Sequence, residues 1–489
     1  MAKLRITDLL VYRLRYVLGY GILGLVLLAS LIFAGLFSPG GLTAAEMSST
    51  VTSAGVSFDN LDSLSVLNLP FHLLQNLSIN LLGVSILSVK LPSLILGLLT
   101  AFGLILLLRL WFSRNVAVLA SIIAVSTSQF LFVAQNGTPM VMYMFWAVWL
   151  LLSATMVARR AKPTVLWRII CLPLAALSLY TPLSVYILFT IMTAVALHPH
   201  LRYLFKRVPI GDLIFGAVIG ALILVPLGHG IINNPEIIQT LLGFEGNSSD
   251  LAGNAASALG QLINFTGSSF ADSGMMTPLF SLGSVLLIII GAVNLSSARY
   301  SVKTYLTGIW LLLLVPAIFV NPSFVIVSFV PFVLLLASGL DLIISKWYRL
   351  FPLNPYARVA GLVPLAILVG GLVFSGLDRY VYGYHYTPGV AKIFSSDVRL
   401  LNSELNREAQ PTLLVVDKEQ RDFYQVVADK GSIEMSVSDQ VPAEIAKPRL
   451  ILAGDKHQKT PDSLQLDRVI VSDREQSSDR FYVYKKTDS

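Results

Sequence analysis

The chain has 489 residues, of which 55% are hydrophobic and only 13% are charged, and its formal net charge is +7. A soluble globular protein carries about 25% charged residues, so this composition excludes a soluble globule and indicates lipid as the surrounding medium. The basic residues do not cluster with aromatic residues, and the positive charge therefore does not indicate nucleic acid as a partner.

Apolar runs recur through the first three-quarters of the chain, each close to the roughly 20 residues that a helix needs to cross a bilayer. They are continuous, whereas the strands of a membrane barrel alternate between apolar and polar residues. The sequence therefore predicts an all-α polytopic membrane bundle. We predict eleven transmembrane helices, at 16–37, 89–110, 115–134, 139–158, 165–181, 182–198, 209–230, 278–296, 304–320, 324–345 and 359–377.

The basic residues orient this bundle. Of the 19 Lys and Arg residues before position 377, 18 fall on one side of the predicted spans. The positive-inside rule makes that side cytoplasmic. We therefore expect a multi-pass protein of the cell membrane with a cytoplasmic N-terminus, and an odd number of spans places the C-terminal residues outside. The single cysteine, Cys171, lies inside a predicted span, so an intrachain disulfide is impossible.

Two long external loops, 38–88 and 231–277, contain no Lys or Arg. In the first loop, the stretch from Leu64 to Leu87 mixes Leu and Ile with polar residues, a pattern typical of amphipathic helices on the membrane surface. In the second, Gly246 to Pro278 is rich in Gly, Ser, Asn and Ala and is typical of a flexible, lid-like segment.

The composition changes at about residue 378, which divides the chain into a membrane domain, 1–377, and a C-terminal domain, 378–489. The last 112 residues contain 16 basic and 18 acidic residues and no long apolar run. Short strands are predicted at 412–416, 449–453, 468–471 and 481–484, with a helix at 418–430, so this part is a small extracytoplasmic α/β soluble domain. Asp417 and Asp455 each follow a predicted strand, where an Asp is usually a turn or cap residue.

Several segments resemble the GT-C membrane glycosyltransferases, which include protein mannosyltransferases and the aminoarabinose transferases of lipid A. They comprise Leu42-Thr-Ala-Ala-Glu46 just after the first span, Pro70-Phe-His-Leu-Leu, Gly83-Val-Ser, Lys90-Leu-Pro-Ser93, the stretch from Ser126 to Pro139, and Ala176-Leu-Ser-Leu-Tyr-Thr-Pro182. The resemblance covers about residues 1–240. Two positions depart from the family: Asn136-Gly-Thr-Pro139 stands where the family usually has an acid, and Lys90 stands where it usually has Arg.

The resemblance implies transfer of a sugar from a polyprenyl-phosphate donor to a glycan, lipid or protein acceptor on the external face. Such an acceptor hydroxyl needs a carboxylate as general base, and Glu46 stands at the position for it. Its alternative role is to cap an interfacial helix or to lie solvated in a loop. Lys90 is the one basic residue at the external end before position 377, so it would bind the donor phosphate or, alternatively, reach the lipid headgroups.

Further substrate contacts are predicted at His72, His229 and Gln135. A single interfacial His is more often a polar anchor, and that alternative stays open for both histidines. Asp59 and Asp62 could replace the missing acid, although their surroundings are typical of turns. No cofactor is predicted, and a divalent metal is possible but not indicated. We expect Glu46, Lys90, His72 and His229 to open onto one external cavity, provided that the seventh span packs beside the first two.

Two other functions remain open at this stage. A transporter or flippase of lipid-linked saccharides would normally have charged or broken spans near the middle of the membrane. A non-catalytic envelope assembly protein would explain the missing second acid and the external domain.

Overall fold

The structure is a computed structural model, and it describes most of the chain. The described residues are 15–36, 41–159, 164–244, 250–264, 269–270, 276–297, 301–351, 356, 360–386, 393–395, 397–407, 410–431, 434–441, 449–453, 464–471 and 480–486.

The first two-thirds of the described chain are almost entirely helical. In chain order, the helices up to the second long loop are α1 Arg15–Leu36, α2 Ala44–Ala54, α3 Leu61–Leu64, α4 Leu69–Leu82, α5 Ile86–Trp111, α6 Arg114–Val125, α7 Ser128–Gln135, α8 Val141–Ala158, α9 Thr164–Ser178, α10 Ser184–Leu197, α11 Pro199–Phe205 and α12 Ile210–Asn233. The following elements are α13 Glu236–Leu242, α14 Leu251–Ile263, β1 Ser269–Phe270, β2 Met276–Thr277, α15 Leu282–Ser297, α16 Val302–Val320, a 3-10 helix at Pro322–Ser328, α17 Phe329–Leu350 and α18 Leu362–Tyr386.

The helices confirm a polytopic membrane protein. Among the described residues, six helical segments are long and apolar enough to cross a membrane, and the number rises to eight if each of two bent helix pairs forms one span. Three shorter apolar helices, at Val17–Val26, Val165–Ser178 and Leu282–Ser297, coincide with three further predicted spans. Length and composition therefore support six to eight spans, and the eleven predicted spans remain a prediction.

The predicted third span, 115–134, is not one continuous helix. Helices α6 and α7 meet at an angle of 62°. The hydroxyls of Ser126 and Thr127 donate hydrogen bonds back to the carbonyls of Ile123 and Ala124, at 3.1 and 2.7 Å. Thr127 then caps α7 by accepting a hydrogen bond from Phe130 N–H. These side chains satisfy backbone groups that a continuous helix would have paired, and they permit the bend.

Both long loops contain helices. In the first, α2, α3 and α4 precede α5, in agreement with the helical pattern of residues 64–87. In the second, α14 occupies part of the stretch from Gly246 to Pro278 that was expected to be flexible. The Asp250 carboxylate accepts a hydrogen bond from Gly253 N–H at 2.8 Å and so caps this helix. Residues 251–263 are therefore helical, and the lid-like role of this stretch remains a prediction; part of the remainder lies outside the described residues.

The C-terminal residues form a five-stranded sheet in the order β4-β3-β5-β7-β6. Its elements are α19 Asp397–Arg407, β3 Thr412–Val415, α20 Arg421–Lys430, β4 Met435–Ser438, β5 Arg449–Ala453, β6 Leu464–Val471 and β7 Arg480–Lys486. Strand β3 is parallel to β4 and β5, whereas β7 is antiparallel to β5 and β6. The four predicted strands and the predicted helix are confirmed, while α19 and the edge strand β4 were not predicted.

This α/β unit shares a hydrophobic core with the first external loop. Leu42, Met47 and Ile79 of the loop pack in the same buried cluster as Val398 and Leu401 of α19. The backbone of Leu42 also pairs with Ser395 through two hydrogen bonds of 2.8 and 3.0 Å. A Cβ at Gly41 would lie only 2.7 Å from the carbonyl oxygen of Ser395, so this contact requires glycine. The C-terminal unit is therefore held against the segment that leads directly into Glu46.

Candidate active site

Glu46 lies in the first turn of α2 and is completely buried. Its Oε2 atom accepts a hydrogen bond from Thr43 N–H at 2.8 Å, while the Thr43 hydroxyl accepts one from Glu46 N–H at 3.1 Å. This reciprocal pair is a capping box, which satisfies two backbone donors at the start of the helix. The capping role predicted as the alternative for Glu46 is therefore present, and it fixes the carboxylate in one orientation.

Lys90 lies in the first turns of α5 and is 2% exposed. A second capping box, between Ser85 and Ser88, begins this helix and sets the position of Lys90. The Lys90 Nζ atom lies 3.6 Å from Glu46 Oε1 and donates a hydrogen bond to Gln135 Oε1 at 3.1 Å. A buried cation next to a buried anion stabilises both charges, so Glu46 and Lys90 form an internal ion pair.

The turn after α7 completes the coordination of Glu46. Gly137 N–H donates a hydrogen bond of 2.6 Å to Glu46 Oε1. A Cβ at residue 137 would lie 2.8 Å from a methyl group of Val89 and 3.2 Å from Glu46 Oε1, so glycine permits the close approach. At the position where the resembled family usually has an acid, this chain thus directs a backbone donor at Glu46. The neighbouring Asn136 Oδ1 and Thr138 Oγ1 atoms are buried without a hydrogen-bond partner among the described residues.

Gln75 connects the ion pair to His72. Its amide nitrogen donates to the carbonyls of Val89 and Gly137, both at 3.0 Å. Its amide oxygen accepts from the hydroxyls of Ser49 and Ser53, at 2.9 and 2.6 Å. The Ser53 hydroxyl in turn lies 2.8 Å from His72 Nδ1. Gln75 therefore ties together α2, α4, α5 and the turn at Gly137.

Burial lowers the pKa of His72 from 6.5 to about 4. The imidazole is 6% exposed, and its charged form would lose hydration without gaining a carboxylate partner in this network. His72 is consequently neutral at pH 7 and connects to the site through Ser53, not as a cation that could bind phosphate.

We expect His72 to make folding sensitive to acid. Between pH 6.5 and about 4 the unfolded chain binds more protons at this position than the folded chain, so stability falls as the pH falls. The full loss below pH 4 is about 3 kcal/mol. His72→Gln should remove this part of the pH dependence when the free energy of unfolding in detergent is measured from pH 7 to pH 4. His229→Gln is the control, because His229 is substantially exposed; equal pH profiles for wild type and His72→Gln would contradict the assignment.

His229, Asp62 and Asp59 lie apart from this network. His229 Nδ1 is 3.3 Å from Asp62 Oδ1, and their side chains are 40% and 67% exposed. Asp62 lies in the first turn of helix α3, whereas Asp59 lies in a turn and accepts a hydrogen bond from the Ser57 hydroxyl at 3.0 Å. Helix α12 packs mainly against α9 and also contacts α3. The structure thus joins Glu46, Lys90, Gln135 and His72, whereas it pairs His229 with Asp62.

The site is closed towards the C-terminal unit by Phe394. The Phe394 ring centroid lies 5.4 Å from Lys90 Nζ, and the side chain is 1% exposed. The adjacent Ser395 is bonded to Leu42, four residues before Glu46. This contact makes Phe394 a cover over the ammonium group, with a cation–π geometry.

Glu46, Lys90 and Gln135, which the sequence predicts as site residues, lie together in the structure, whereas their neighbours Gln75, Gly137 and Phe394 were not predicted. The spacing Thr43-x-x-Glu46 is a recognisable capping-box signal. Nothing local marks Phe394 or Gln75, because their contacts come from distant parts of the chain. Among the described residues, no group of three or more His, Cys, Asp or Glu side chains could hold a metal ion.

Comparison with known proteins supports the resemblance. Residues 69–228 match the sequence model of the dolichyl-phosphate-mannose-protein mannosyltransferase family. None of the curated proteins matches the sequence. The family match confirms the similarity to lipid-linked-sugar glycosyltransferases and indicates an enzyme of this class.

Solved structures share the fold. ArnT from Cupriavidus metallidurans bound to undecaprenyl phosphate matches with a TM-score of 0.55 and 12% identity, covering 99% of each chain. The apo form of the same protein gives 0.51 and 14% identity, covering 96% of this chain and 97% of that one. An Archaeoglobus fulgidus oligosaccharyltransferase tethered with an acceptor peptide gives 0.50 and 16% identity, with 87% of this chain covering 64% of that one. The GT-C-like fold predicted from the sequence is therefore confirmed.

Proposed function

We propose that this chain transfers a sugar from a polyprenyl-phosphate donor to an acceptor at the external face of the cell membrane, with Glu46 as the general base. The observation that carries the proposal is the buried contact between Glu46 and Lys90, 3.6 Å apart, in a chain with the fold of membrane glycosyltransferases. A carboxylate and a cation at one point supply both requirements of the transfer, since one deprotonates the acceptor and the other stabilises the leaving phosphate.

The donor class is supported by the family match and by a bound lipid. The matched family takes its name from dolichyl-phosphate-mannose, and the ArnT structure contains undecaprenyl phosphate. Lys90 can serve such a phosphate because an ammonium group has three N–H donors, of which one is used by Gln135. The acceptor is a glycan, a lipid or a protein, and no metal is required for the role assigned to Lys90.

In this structure both carboxylate oxygens of Glu46 already have partners within the protein, so the carboxylate must be rearranged before it can accept a proton from the acceptor. Its carboxylate accepts hydrogen bonds from Thr43 N–H and Gly137 N–H and faces Lys90. A donor phosphate would compete for Lys90 and draw the ammonium away from Glu46 Oε1. The freed lone pair could then accept the proton of the acceptor hydroxyl as its oxygen attacks the anomeric carbon and the lipid phosphate leaves. Donor binding would in this way activate the base.

The turn at Asn136 offers contacts for the sugar. Asn136 Oδ1 and Thr138 Oγ1 are buried with no hydrogen-bond partner in the part of the chain that the structure describes, and they flank the Gly137 amide that binds Glu46. Buried polar atoms are nearly always hydrogen-bonded, so a ligand with several hydroxyls would satisfy them. A single carboxylate suffices for an inverting transfer, and the missing second acid does not contradict the proposal.

The orientation follows from the charge distribution. We propose a cytoplasmic N-terminus and an external C-terminal domain, since 18 of the 19 basic residues before position 377 lie on the other side of the predicted spans from Lys90. Glu46, Lys90 and the α/β unit then all face outward, where Leu42 and Ser395 hold them together.

A non-catalytic assembly protein of the envelope is the second candidate. The occupied carboxylate of Glu46 and the residue Asn136 in place of an acid favour it, because both would fit a site that has lost its chemistry. A transporter of lipid-linked saccharides would also be a polytopic bundle, but unlike a transferase it would not need a general base.

One assay separates the three functions. The protein would be reconstituted in vesicles with a panel of polyprenyl-phosphate hexoses and pentoses and cell-envelope acceptors, and released polyprenyl phosphate and donor translocation would be measured. We expect release of polyprenyl phosphate that is abolished in Lys90→Met and unchanged in the exposed control His229→Gln. Donor that crosses the bilayer without release would indicate a transporter, and neither activity would favour the assembly protein.

A further inference from the structure

A cavity of about 690 Å³ lies far from the candidate active site. It is lined by α8 to α12 and α16, and Trp111, the last residue of α5, forms part of its wall. Lys90 is near the other end of α5. At 1.5 Å per residue these two residues are about 30 Å apart along the helix, so the cavity opens at the opposite end of the bundle.

The wall of the cavity is apolar and its rim is basic. The apolar lining includes Leu151, Leu172 and Ile191. We call the basic lining residues Arg159, Arg202 and Lys303 the rim; Arg159 directly follows α8, Lys303 is the second residue of α16, and Arg202 lies within α11. Among the described residues that line the cavity there is no Asp or Glu. A volume between roughly 300 and 1,000 Å³ is typical of small-molecule sites in proteins.

The basic rim residues are only partly neutralised within the protein. Arg168 also lines the cavity, but its guanidinium forms a 3.2 Å ion pair with Asp212. Arg159 and Arg202 each donate to a backbone carbonyl, of Leu110 and Ala196 respectively. A guanidinium has five N–H donors, so both can bind a further acceptor.

Lys303 adds a third positive charge to this rim. Its ammonium lies 4.1 Å from the centroid of the Phe112 ring, and both Arg159 and Asp341 act on it electrostatically. The repulsion between Lys303 and Arg159, beside an apolar wall, would be relieved by an anion placed between them.

We propose that this cavity binds one anionic phospholipid of the cytoplasmic leaflet, with an acyl chain along the apolar wall and the phosphate at Arg159, Arg202 and Lys303. Charge complementarity selects this occupant, because anionic lipids are concentrated in that leaflet and basic residues near its surface attract them. The inference rests on the proposed orientation of the bundle and not on the transferase activity.

Native mass spectrometry of the full chain tests the proposal. The protein would be released from nanodiscs that contain equal amounts of phosphatidylglycerol and phosphatidylcholine. We expect wild type to retain one phosphatidylglycerol. The double variant Arg159→Gln/Arg202→Gln should bind it about 30-fold more weakly, since two attractive charges are removed. Arg207→Gln is the matched control, because Arg207 lies at the same end of the bundle, stacked 4.3 Å from the Tyr203 ring, and does not line the cavity.

A second variant tests the cavity itself. Ala154 lies in its wall, and Ala154→Trp should obstruct the space for the acyl chain and weaken phosphatidylglycerol binding without changing the charge. Retention of phosphatidylcholine to the same extent as phosphatidylglycerol, or of a detergent molecule only, would overturn the proposal. Unchanged phosphatidylglycerol binding in Ala154→Trp would overturn it as well. This test remains valid if the arginine variants fail to fold. Because the assay measures bound lipid, it is independent of whether the chain transfers sugar.

Discussion

Glu46→Gln should abolish sugar transfer and also destabilise the protein, whereas Glu46→Gln/Lys90→Met should regain most of the stability but none of the activity. Glu46 is fully buried beside Lys90, which is 2% exposed, so removing one charge leaves the other buried without compensation. Breaking a buried ion pair in this way costs about 3–5 kcal/mol. Removing both charges eliminates that cost, because neither remaining side chain is ionised.

The two measurements separate catalysis from folding. Stability would be followed by thermal unfolding in detergent, and activity by released polyprenyl phosphate. Loss of a general base lowers the rate by about 10²–10⁴-fold. The matched control is the pair of exposed substitutions Asp62→Asn and His229→Gln, singly and together, for which a coupling of about 0–1 kcal/mol is expected.

The stability and activity of the double variant together decide whether Glu46 is catalytic or is only a structural partner of Lys90. If the double variant regains both stability and activity, Glu46 and Lys90 are a structural pair only, and the catalytic proposal for Glu46 fails. A Glu46→Gln protein with normal transfer would contradict it directly. Loss of activity in a double variant with restored stability supports a catalytic role for the Glu46–Lys90 pair, since a purely structural pair would not produce it.

Glu404→Gln should destabilise the C-terminal α/β unit by up to about 3–5 kcal/mol, because it removes the Glu404 carboxylate from its ion pair with the buried Arg449 guanidinium. Arg449 is completely buried in β5, and its guanidinium pairs with the Glu404 carboxylate of α19. Glu404 also lies 3.6 Å from Arg468. The charge that remains cannot reach water without opening the sheet.

Hydrogen exchange of the full chain measures this effect locally. The amides of β3 and β5, at Thr412–Val415 and Arg449–Ala453, should exchange faster in Glu404→Gln. Asp467→Asn is the control. Asp467 forms surface ion pairs with Arg468 and Lys485. The hydrogen bond from Arg468 lowers the pKa of the Asp467 carboxyl. The loss of such exposed pairs costs about 0.2–1 kcal/mol of stability. Equal exchange rates in both variants would show that the Arg449–Glu404 pair does not hold the unit together.

The same substitution should reduce sugar transfer. Glu404 lies in helix α19, which follows Phe394 and Ser395 in the chain. Phe394 covers Lys90, and the backbone of Ser395 is hydrogen-bonded to that of Leu42. Asn402 of α19 also donates a hydrogen bond of 3.2 Å to the Val84 carbonyl, just before α5. A looser α19 would therefore weaken the cover over the site, even though Glu404 itself does not contact the Glu46–Lys90 pair.

The sequence by itself determined the features that depend on neighbouring residues. Apolar runs of span length predicted the membrane helices, and the uneven distribution of Lys and Arg supplies an orientation that remains a prediction. The spacing of Thr43 and Glu46 carried a capping signal, and alternating short apolar segments predicted four of the five C-terminal strands. Each of these patterns reflects a local physical cause, namely burial in lipid, backbone hydrogen bonding or the period of a strand.

Only the tertiary structure decided which distant residues meet. Gly137 lies 91 positions from Glu46, and its amide completes the coordination of that carboxylate. Asn402 lies 318 positions from Val84, whose carbonyl it binds. His229 was expected near Glu46 but pairs with Asp62, because α12 packs mainly against α9 and also contacts α3. Helix packing is set by the fit of whole surfaces, and no local pattern around these residues encodes their partners.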